Sequence, residues 1–375
     1  MKLMHIADLH IGKQLREISF LPDQRMILDQ IIAIADAEAV DGVMIAGDIY
    51  QKASPQAEAM TLFNDFVTRL ARGGRRVFAI SGNHDSDQRI AYFASLVRGA
   101  GVYVSDRFDG HIQKIALTDD YGAINICMLP FLKPAMVRRF FPEAKIASYQ
   151  DAMRAVLLHS PIDASARNVL ICHQLITGAE RTDSEELSVG GLDNIDPGLF
   201  DAYDYVALGH LHKPQRVGRE TMRYAGSPLK YSFSEVDSPK SVAIIDVRAK
   251  GDIDVRCVPL KPMRDMRIVE GMIDDILRMD GSDDYVSVIV HDEFVPPDAR
   301  LRISTGVFPN MMQFAVRNSK TKETMEVRGA EQVENKSAEE LFIDFFRTAK
   351  NGESPTEAHM RILERVLQEL EDERI

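Results

Sequence analysis

Three apolar runs mark the first hundred residues, at 2–7, 42–46 and 76–80. Each is too short for a helix and predicts a buried strand. The segments 23–40 and 55–72 between them carry helical spacing. Ile27, Ile31, Ile34 and Ala35 form one apolar stripe, and Leu62, Phe66, Val67 and Leu70 form another. Ser54-Pro55 predicts an N-cap followed by a proline in the first helical position. Alternating strand and helix implies βαβ units on a central sheet. Further apolar runs at 112–117, 124–129, 168–172, 204–208, 240–247 and 253–260 predict that the sheet is doubled into two layers with helices outside.

The pattern changes near residue 260. Pro259, Pro262 and the charged run 264–267 read as a linker or exit strand. Beyond them come a short helix (271–279), a strand (285–290) and, after Pro296-Pro297, two more strands (300–304 and 312–317). These predict a small α+β domain, followed by a polar loop at 320–336. Ser337-Ala-Glu-Glu340 and Ser354-Pro-Thr-Glu357 both match a helix capping box. They predict two terminal helices, one with an apolar face of Leu341, Phe342, Phe345 and Phe346, the other with Met360, Leu363, Val366, Leu367 and Leu370.

The strand ends carry the chemistry. The first run stops at Asp8-x-His10, and residues i and i+2 of a strand point to the same side. GVMIAGD stops at Asp48, RVFAISGNHD at Asn83, His84 and Asp85, NVLICH at His173, and YDYVALGHLH at His210 and His212. Ligands of open α/β sheets sit outside the carboxyl ends of strands, so all five ends could face one cleft. Asp8, His10, Asp48, Asn83, His173, His210 and His212 are an oxygen and imidazole donor set without thiolate. Such a set suits Mn²⁺, Fe²⁺ or Zn²⁺ in a catalytic role. A carboxylate such as Asp48 can bridge two ions roughly 3.5–4 Å apart. Gly47, Gly82 and Gly209 each precede a candidate ligand, as a crowded site requires.

Bulk properties narrow the class. The chain has 375 residues, 45% apolar and 27% charged, which is ordinary for a soluble globular protein. No apolar run is long enough for a membrane span, and no secretory signal is read at the N-terminus. Cys127, Cys172 and Cys257 form no C-x-x-C pair and read as small buried hydrophobes in a reducing compartment. The net charge of −12 argues against nucleic-acid binding overall, but the last 42 residues, with 6 basic and 11 acidic groups, hold much of it. Candidate phosphate grips are Lys13, Arg16, Lys133, Arg138, Arg139, Lys213, Arg216, Arg219 and Lys230. No P-loop occurs, so the chain carries no P-loop ATPase of its own.

The blocks D-x-H, GD, GNHD, a strand-terminal His and G-H-x-H resemble the calcineurin-like metallophosphoesterase superfamily over roughly residues 1–260. MHIADLHIGK, GDIYQKASP, ISGNHDS, DYVALGHLHKPQ, YAGSPLKYSFSE and VPLKPMRDMRIVEG narrow the likeness to nuclease subunits of SbcCD-type DNA repair complexes. One departure is Gln51, where that family often has an acid. The resemblance implies a four-layer α/β/β/α sandwich at 1–265, a DNA-capping domain at 266–332 and a C-terminal helical hairpin at 333–375. It implies two divalent ions, manganese first among them and magnesium possible. Asp8, His10, Asp48 and His212 would hold one, and Asp48, Asn83, His173 and His210 the other. His84 would protonate the leaving oxygen, with Asp85 orienting its ring or capping a helix over 87–98. The implied activity is exonuclease on double-stranded DNA ends and endonuclease on single-stranded or hairpin DNA, in the cytoplasm. The implied partners are an SbcC-like coiled-coil ATPase, docked on the terminal helices, and a second copy of the chain within a heterotetramer. The alternatives are a phosphatase or cyclic-nucleotide phosphodiesterase on the same fold, or a non-catalytic scaffold. The residues beyond the catalytic domain speak against the first of these, and the filled ligand positions against the scaffold.

Overall fold

The computed structural model describes residues 1–16, 18–181 and 194–319, with 342, 343, 346, 355, 356, 359–361 and 363 beyond them. In chain order the first elements are β1 (Lys2–Ile6), a separate two-stranded ribbon of β2 (Gln14–Leu15) and β3 (Ile18–Ser19), α1 (Leu21–Ala37), β4 (Gly42–Ala46), α2 (Ala57–Arg72), β5 (Arg76–Ile80), α3 (Asp87–Ile90), α4 (Ala94–Val97) and β6 (Val102–Val104), of which β1, β4, β5 and β6 enter the first sheet. The second layer follows with β7 (Gln113–Asp119), β8 (Gly122–Leu129), α5 (Pro134–Arg138), α6 (Tyr149–Leu158), β9 (Arg167–His173), β10 (Tyr205–Gly209), β11 (Gln215–Val217) and β12 (Arg219–Tyr224). Strands β13 (Ser241–Val247) and β14 (Ile253–Pro259) then return to the first sheet.

Two mixed six-stranded sheets result, ordered β14-β13-β1-β4-β5-β6 and β11-β12-β10-β9-β8-β7. Strand alternation gives each sheet two apolar faces, which explains the nearly continuous hydrophobic runs. Leu3, Met44 and Phe78 of the first sheet share a buried cluster with Ile126, Ile171 and Tyr205 of the second. Their neighbours in sequence point the other way. Met4, Val43 and Ile45 pack on Ile27, Ile31, Leu62 and Phe66 of α1 and α2. Leu170, Val206 and Leu208 pack on Val137, Met153 and Val156 of α5 and α6. Helix, sheet, sheet and helix are thereby stacked around three apolar layers.

The parallel ladders matter most for function. β1, β4 and β5 run parallel side by side, as do β9 and β10. Their carboxyl ends therefore emerge together, carrying the polar residues that follow each strand.

The chain divides into two compact units. One comprises Met1–Val269, Gly281–Ser287 and Phe308–Gln313; the other comprises Glu270–Asp280, Val288–Val307 and the described residues from Phe314 on. The last elements are β15 (Met266–Gly271), α7 (Ile273–Ile276), β16 (Tyr285–Val290), α8 (Ala299–Gly306) and β17 (Met311–Val316).

Several expectations need correction. Residues 300–304 are helical, not a strand, because Ala299 and Ile303 are buried while Leu301 between them is exposed. Alternating Ala, Leu and Ile imitate a strand, but only the i, i+4 pair is used. Helix α2 starts at Ala57 after an extended Gln56, two residues later than Pro55 predicts. Cys257 is exposed on the edge strand β14, whereas Cys127 and Cys172 are buried. The terminal capping boxes at 337–340 and 354–357, and the paired helices they predict, lie outside the described residues apart from a few isolated positions, as does the loop 320–336. Among the described residues no helix is long and apolar enough to cross a membrane.

Candidate metal centre

The five strand ends converge. Asp8, His10 and His212 bring ligand atoms within 4.8 Å of one another, as do Asp8, Asp48 and His173, and His10, Asp48 and His84. His10 Nε2 lies 3.0 Å from His212 Nε2 and 3.6 Å from Asp48 Oδ2. His173 Nε2 lies 3.4 Å from the same Asp48 oxygen. Asn83 Oδ1 stands 3.0 Å from both His173 Nε2 and His210 Nδ1. Asp48 is thus the shared member of two groups, one around His10 and His212, the other around Asn83, His173 and His210.

The backbone is held in an uncommon form to achieve this. Asp8, His10, Asp48 and His210 all have positive φ, at 52°, 44°, 48° and 106°. A side chain in this region costs on the order of 1 kcal/mol or more, and such strain gathers at functional sites. Main-chain bonds hold the turns: Asp8 N–H donates to Gly47 O at 3.1 Å and His10 N–H to Asp48 O at 2.9 Å. Two glycines make room. A Cβ on Gly209 would lie 1.8 Å from Ala46 O, and one on Gly82 would lie 2.1 Å from Asp48 Oδ1.

Tautomers follow from the partners. His173 Nδ1 is 2.8 Å from Ala46 O, and a carbonyl only accepts, so Nδ1 carries the proton. Its Nε2 then faces the Asn83 and Asp48 oxygens, and three lone pairs meet unless a positive charge lies among them. The electrostatics of the cluster agree. Burial opposes charge on His173, but Asp48 and Asp8 prevail and hold its pKa up to about 9. Burial lifts Asp8 to about 7 against the pull of His173 and His212. For Asp48 burial also acts upward, yet His173 and His10 outweigh it and keep the carboxyl well below its usual range. Burial lowers His210 to about 3 and takes His10 well below its usual value, leaving both imidazoles neutral. The neutral imidazoles of His10 and His210, two histidines (His173 and His212) that neighbouring carboxylates hold toward the charged form, the carboxylates and an amide oxygen together favour positive charge at the middle, which fits divalent cations.

His84 and Asp85 have separate parts. His84 is half-buried; its N–H donates to Asp48 Oδ1 at 2.9 Å, and its ring stands edge-on to His10 at 4.9 Å. Asp85 accepts N–H bonds from Ile49 (3.0 Å), Tyr50 (2.9 Å) and Gly82 (3.0 Å). Both its oxygens are engaged by backbone, so it braces two ligand loops rather than the His84 ring. It is not a helix cap either: Ser86 caps α3, and the predicted helix 87–98 is broken into short pieces.

Supporting residues escaped the sequence reading. Gln24 of α1 donates to the carbonyls of Leu9 and His10 and accepts from Gly12 N–H, pinning the first ligand loop. Tyr231 donates to Leu9 O at 2.6 Å. Glu235 lies 3.1 Å from His212 Nδ1, and Lys240 donates to Glu235 at 2.6 Å. The motif 224–235 contained Tyr231 and Glu235, but nothing in it tells which strand end they serve. Of the candidate phosphate grips, Arg138 bonds Ile146 O, Arg219 bonds Asp201, Phe200 O and Tyr203 O, Lys230 pairs with Asp265, Lys213 with Glu180 and Arg216 with Glu220. Gln51 donates its N–H to Ile11 O, and its side-chain oxygen is buried without a partner among the described residues.

A family model described as calcineurin-like phosphoesterase matches residues 1–214, and one described as type 5 capsule protein repressor C-terminal domain matches 262–350. The SbcD subunit of nuclease SbcCD from Staphylococcus epidermidis is 34% identical over 282 residues, covering 74% of each chain. The protein of the same name in Staphylococcus saprophyticus is 28% identical over 385 residues, covering 100% of this chain and 99% of its own. Among solved structures, a dimetal phosphatase from Danio rerio matches 70% of this chain and 98% of its own, at 10% identity and a TM-score of 0.40. On its sequence matches, the chain belongs to the calcineurin-like phosphoesterase family, in the group of SbcD nucleases.

Proposed function

We propose that this chain is the metal-dependent nuclease subunit of an SbcCD-type DNA repair complex, cutting double-stranded ends as an exonuclease and single-stranded or hairpin DNA as an endonuclease. The observation that carries it is the convergence of His173 Nε2, Asn83 Oδ1 and Asp48 Oδ2, which leaves a place for positive charge. Asp8, His10, Asp48 and His212 would hold one divalent ion, and Asp48, Asn83, His173 and His210 the other, with manganese the first candidate. When bound, such ions would supply Lewis acidity toward phosphoryl oxygens and toward water. The chain's own groups do the rest. Asp48 fixes His84 through its N–H, and the half-buried His84 ring is placed to give a proton to the leaving oxygen.

The division into a catalytic segment (1–265), a DNA-capping segment (266–332) and a terminal segment that docks a coiled-coil ATPase (333–375) belongs to this reading, as does a cytoplasmic setting. A second copy of the chain within a heterotetramer belongs to this reading as well.

The test is digestion of linear duplex and hairpin DNA with Mn²⁺, with and without the ATPase partner, beside p-nitrophenyl and bis-p-nitrophenyl phosphate. DNA cleavage is expected. Hydrolysis of the monoester alone would assign a phosphatase instead.

A further inference from the structure

We propose that Glu235 is a positioning residue of the metal centre: clamped by Lys240, it sets the His212 ring with its proton on Nδ1 and its Nε2 lone pair turned toward His10 and Asp8. This rests on the reading above that His212 holds an ion. Glu235 Oε1 lies 3.1 Å from His212 Nδ1. Lys240 Nζ donates to Glu235 Oε2 at 2.6 Å, to Ser227 Oγ at 2.9 Å and to the His212 carbonyl at 2.8 Å. One lysine therefore holds both the carboxylate that grips the ring and the main chain of the same histidine. All four residues are buried, Glu235 and Ser227 completely.

A buried carboxylate and ammonium are costly unless paired and hydrogen-bonded, and here both are. Their charges cancel, so the arrangement adds orientation to the site without adding net charge. Carboxylates behind metal-binding histidines act in this way, and their loss typically costs roughly 10–100-fold in metal affinity.

The geometry makes a sharper claim about a single atom. Lys240 can only donate. In a Glu235→Gln chain, its ammonium would draw the amide oxygen to itself and leave the amide NH₂ facing His212 Nδ1. That nitrogen would then have to accept, moving the ring proton to Nε2, where it blocks the metal face. Adding Lys240→Met removes the constraint and lets the amide turn its oxygen back to His212.

The experiment uses the full chain, with Mn²⁺ titrated calorimetrically and the histidine tautomers read by ¹⁵N NMR on the metal-free protein at alkaline pH, where the His212 ring is neutral. Circular dichroism checks that each variant is folded. Glu235→Gln is expected to weaken one of two Mn²⁺ sites by about 10–100-fold and to move the His212 proton to Nε2. The double variant Glu235→Gln/Lys240→Met is expected to recover part of that affinity, and it decides the matter if the single variant does not fold. Unchanged affinity at both sites, a His212 proton still on Nδ1 in the single variant, or a double variant no better than the single one would overturn the proposal. His212→Ala separates the two levels: if it also keeps both sites, the ligand reading itself fails.

Discussion

The main-chain N–H of His210 donates to both oxygens of Asp8, at 2.9 and 3.2 Å. These residues end strands of different sheets and are 202 positions apart in sequence. The bond orders the Asp8 carboxylate before any cation arrives and seats the His210 turn at its positive φ. The centre is thus assembled by backbone as much as by side chains.

Because Asp48 is shared between both groups while His84 stands at the rim of one of them, half-buried and tied to Asp48 by its main-chain N–H, the two residues should separate by mutation. Asp48→Ala is expected to lose Mn²⁺ as well as cleavage. His84→Ala should retain about two Mn²⁺ ions while cleavage falls roughly 10²–10⁴-fold, the usual size of a general acid's contribution. Metal content by mass spectrometry beside a DNA digestion assay checks both; full activity in His84→Ala would remove its role.

Gly209→Ala drives a methyl group into Ala46 O, and neither main chain can retreat without moving the His173 and His210 turns. We expect a large loss of thermal stability and of Mn²⁺ binding. Gly99→Ala, with open space around it and no left-handed backbone, should leave both unchanged. Equal melting temperatures for the two variants would contradict the packing argument.

Asp23 of α1 is buried, receives the Arg264 guanidinium (Nε to Oδ1, 2.9 Å) and accepts the Tyr285 hydroxyl at 2.8 Å. Arg264→Met strands a buried carboxylate and is expected to cost about 3 kcal/mol, the low end for a broken buried pair since the arginine is partly exposed. Tyr285→Phe leaves the ion pair intact and should cost roughly 1 kcal/mol. Urea unfolding ranks them; the reverse order would be wrong for this geometry.

His5 lies between the sheets, 3.1 Å from Tyr205 Oη and 3.1 Å from Leu208 O. Burial lowers its pKa from 6.5 to about 3. A depressed folded value means that its contribution is fully present above pH 6.5 and is lost as pH falls toward about 3. One proton changes stability by roughly 1.4 kcal/mol per pH unit in that window. His5→Gln should therefore show a shallower decline between pH 6 and 4, by up to about one proton, in metal-free urea titrations. Parallel curves would show that His5 does not titrate on unfolding.

The chain order of its residues alone determined the strands β1, β4, β5, β9 and β10, the two flanking helices α1 and α2, and the polar groups at the strand ends. Those features are local: apolar runs of four to seven residues and a 3.6-residue stripe are written in neighbouring positions. The edge strand β11 and its neighbour β12 were not legible, because arginines and glutamate replace the apolar alternation near the solvent-facing edge of the sheet. Residues 300–304 imitate a strand although they lie inside the helix Ala299–Gly306, because a period of two and an i, i+4 pair coincide over so few residues. Only the tertiary structure decided that Asp85 serves three backbone amides, that Gln24 holds the first ligand loop, and that Glu235 and Lys240 stand behind His212. These contacts join residues far apart in the chain, and no local pattern specifies them. Parallel pairing brings the strand ends to one place; which side chain then reaches which atom is settled by packing in three dimensions.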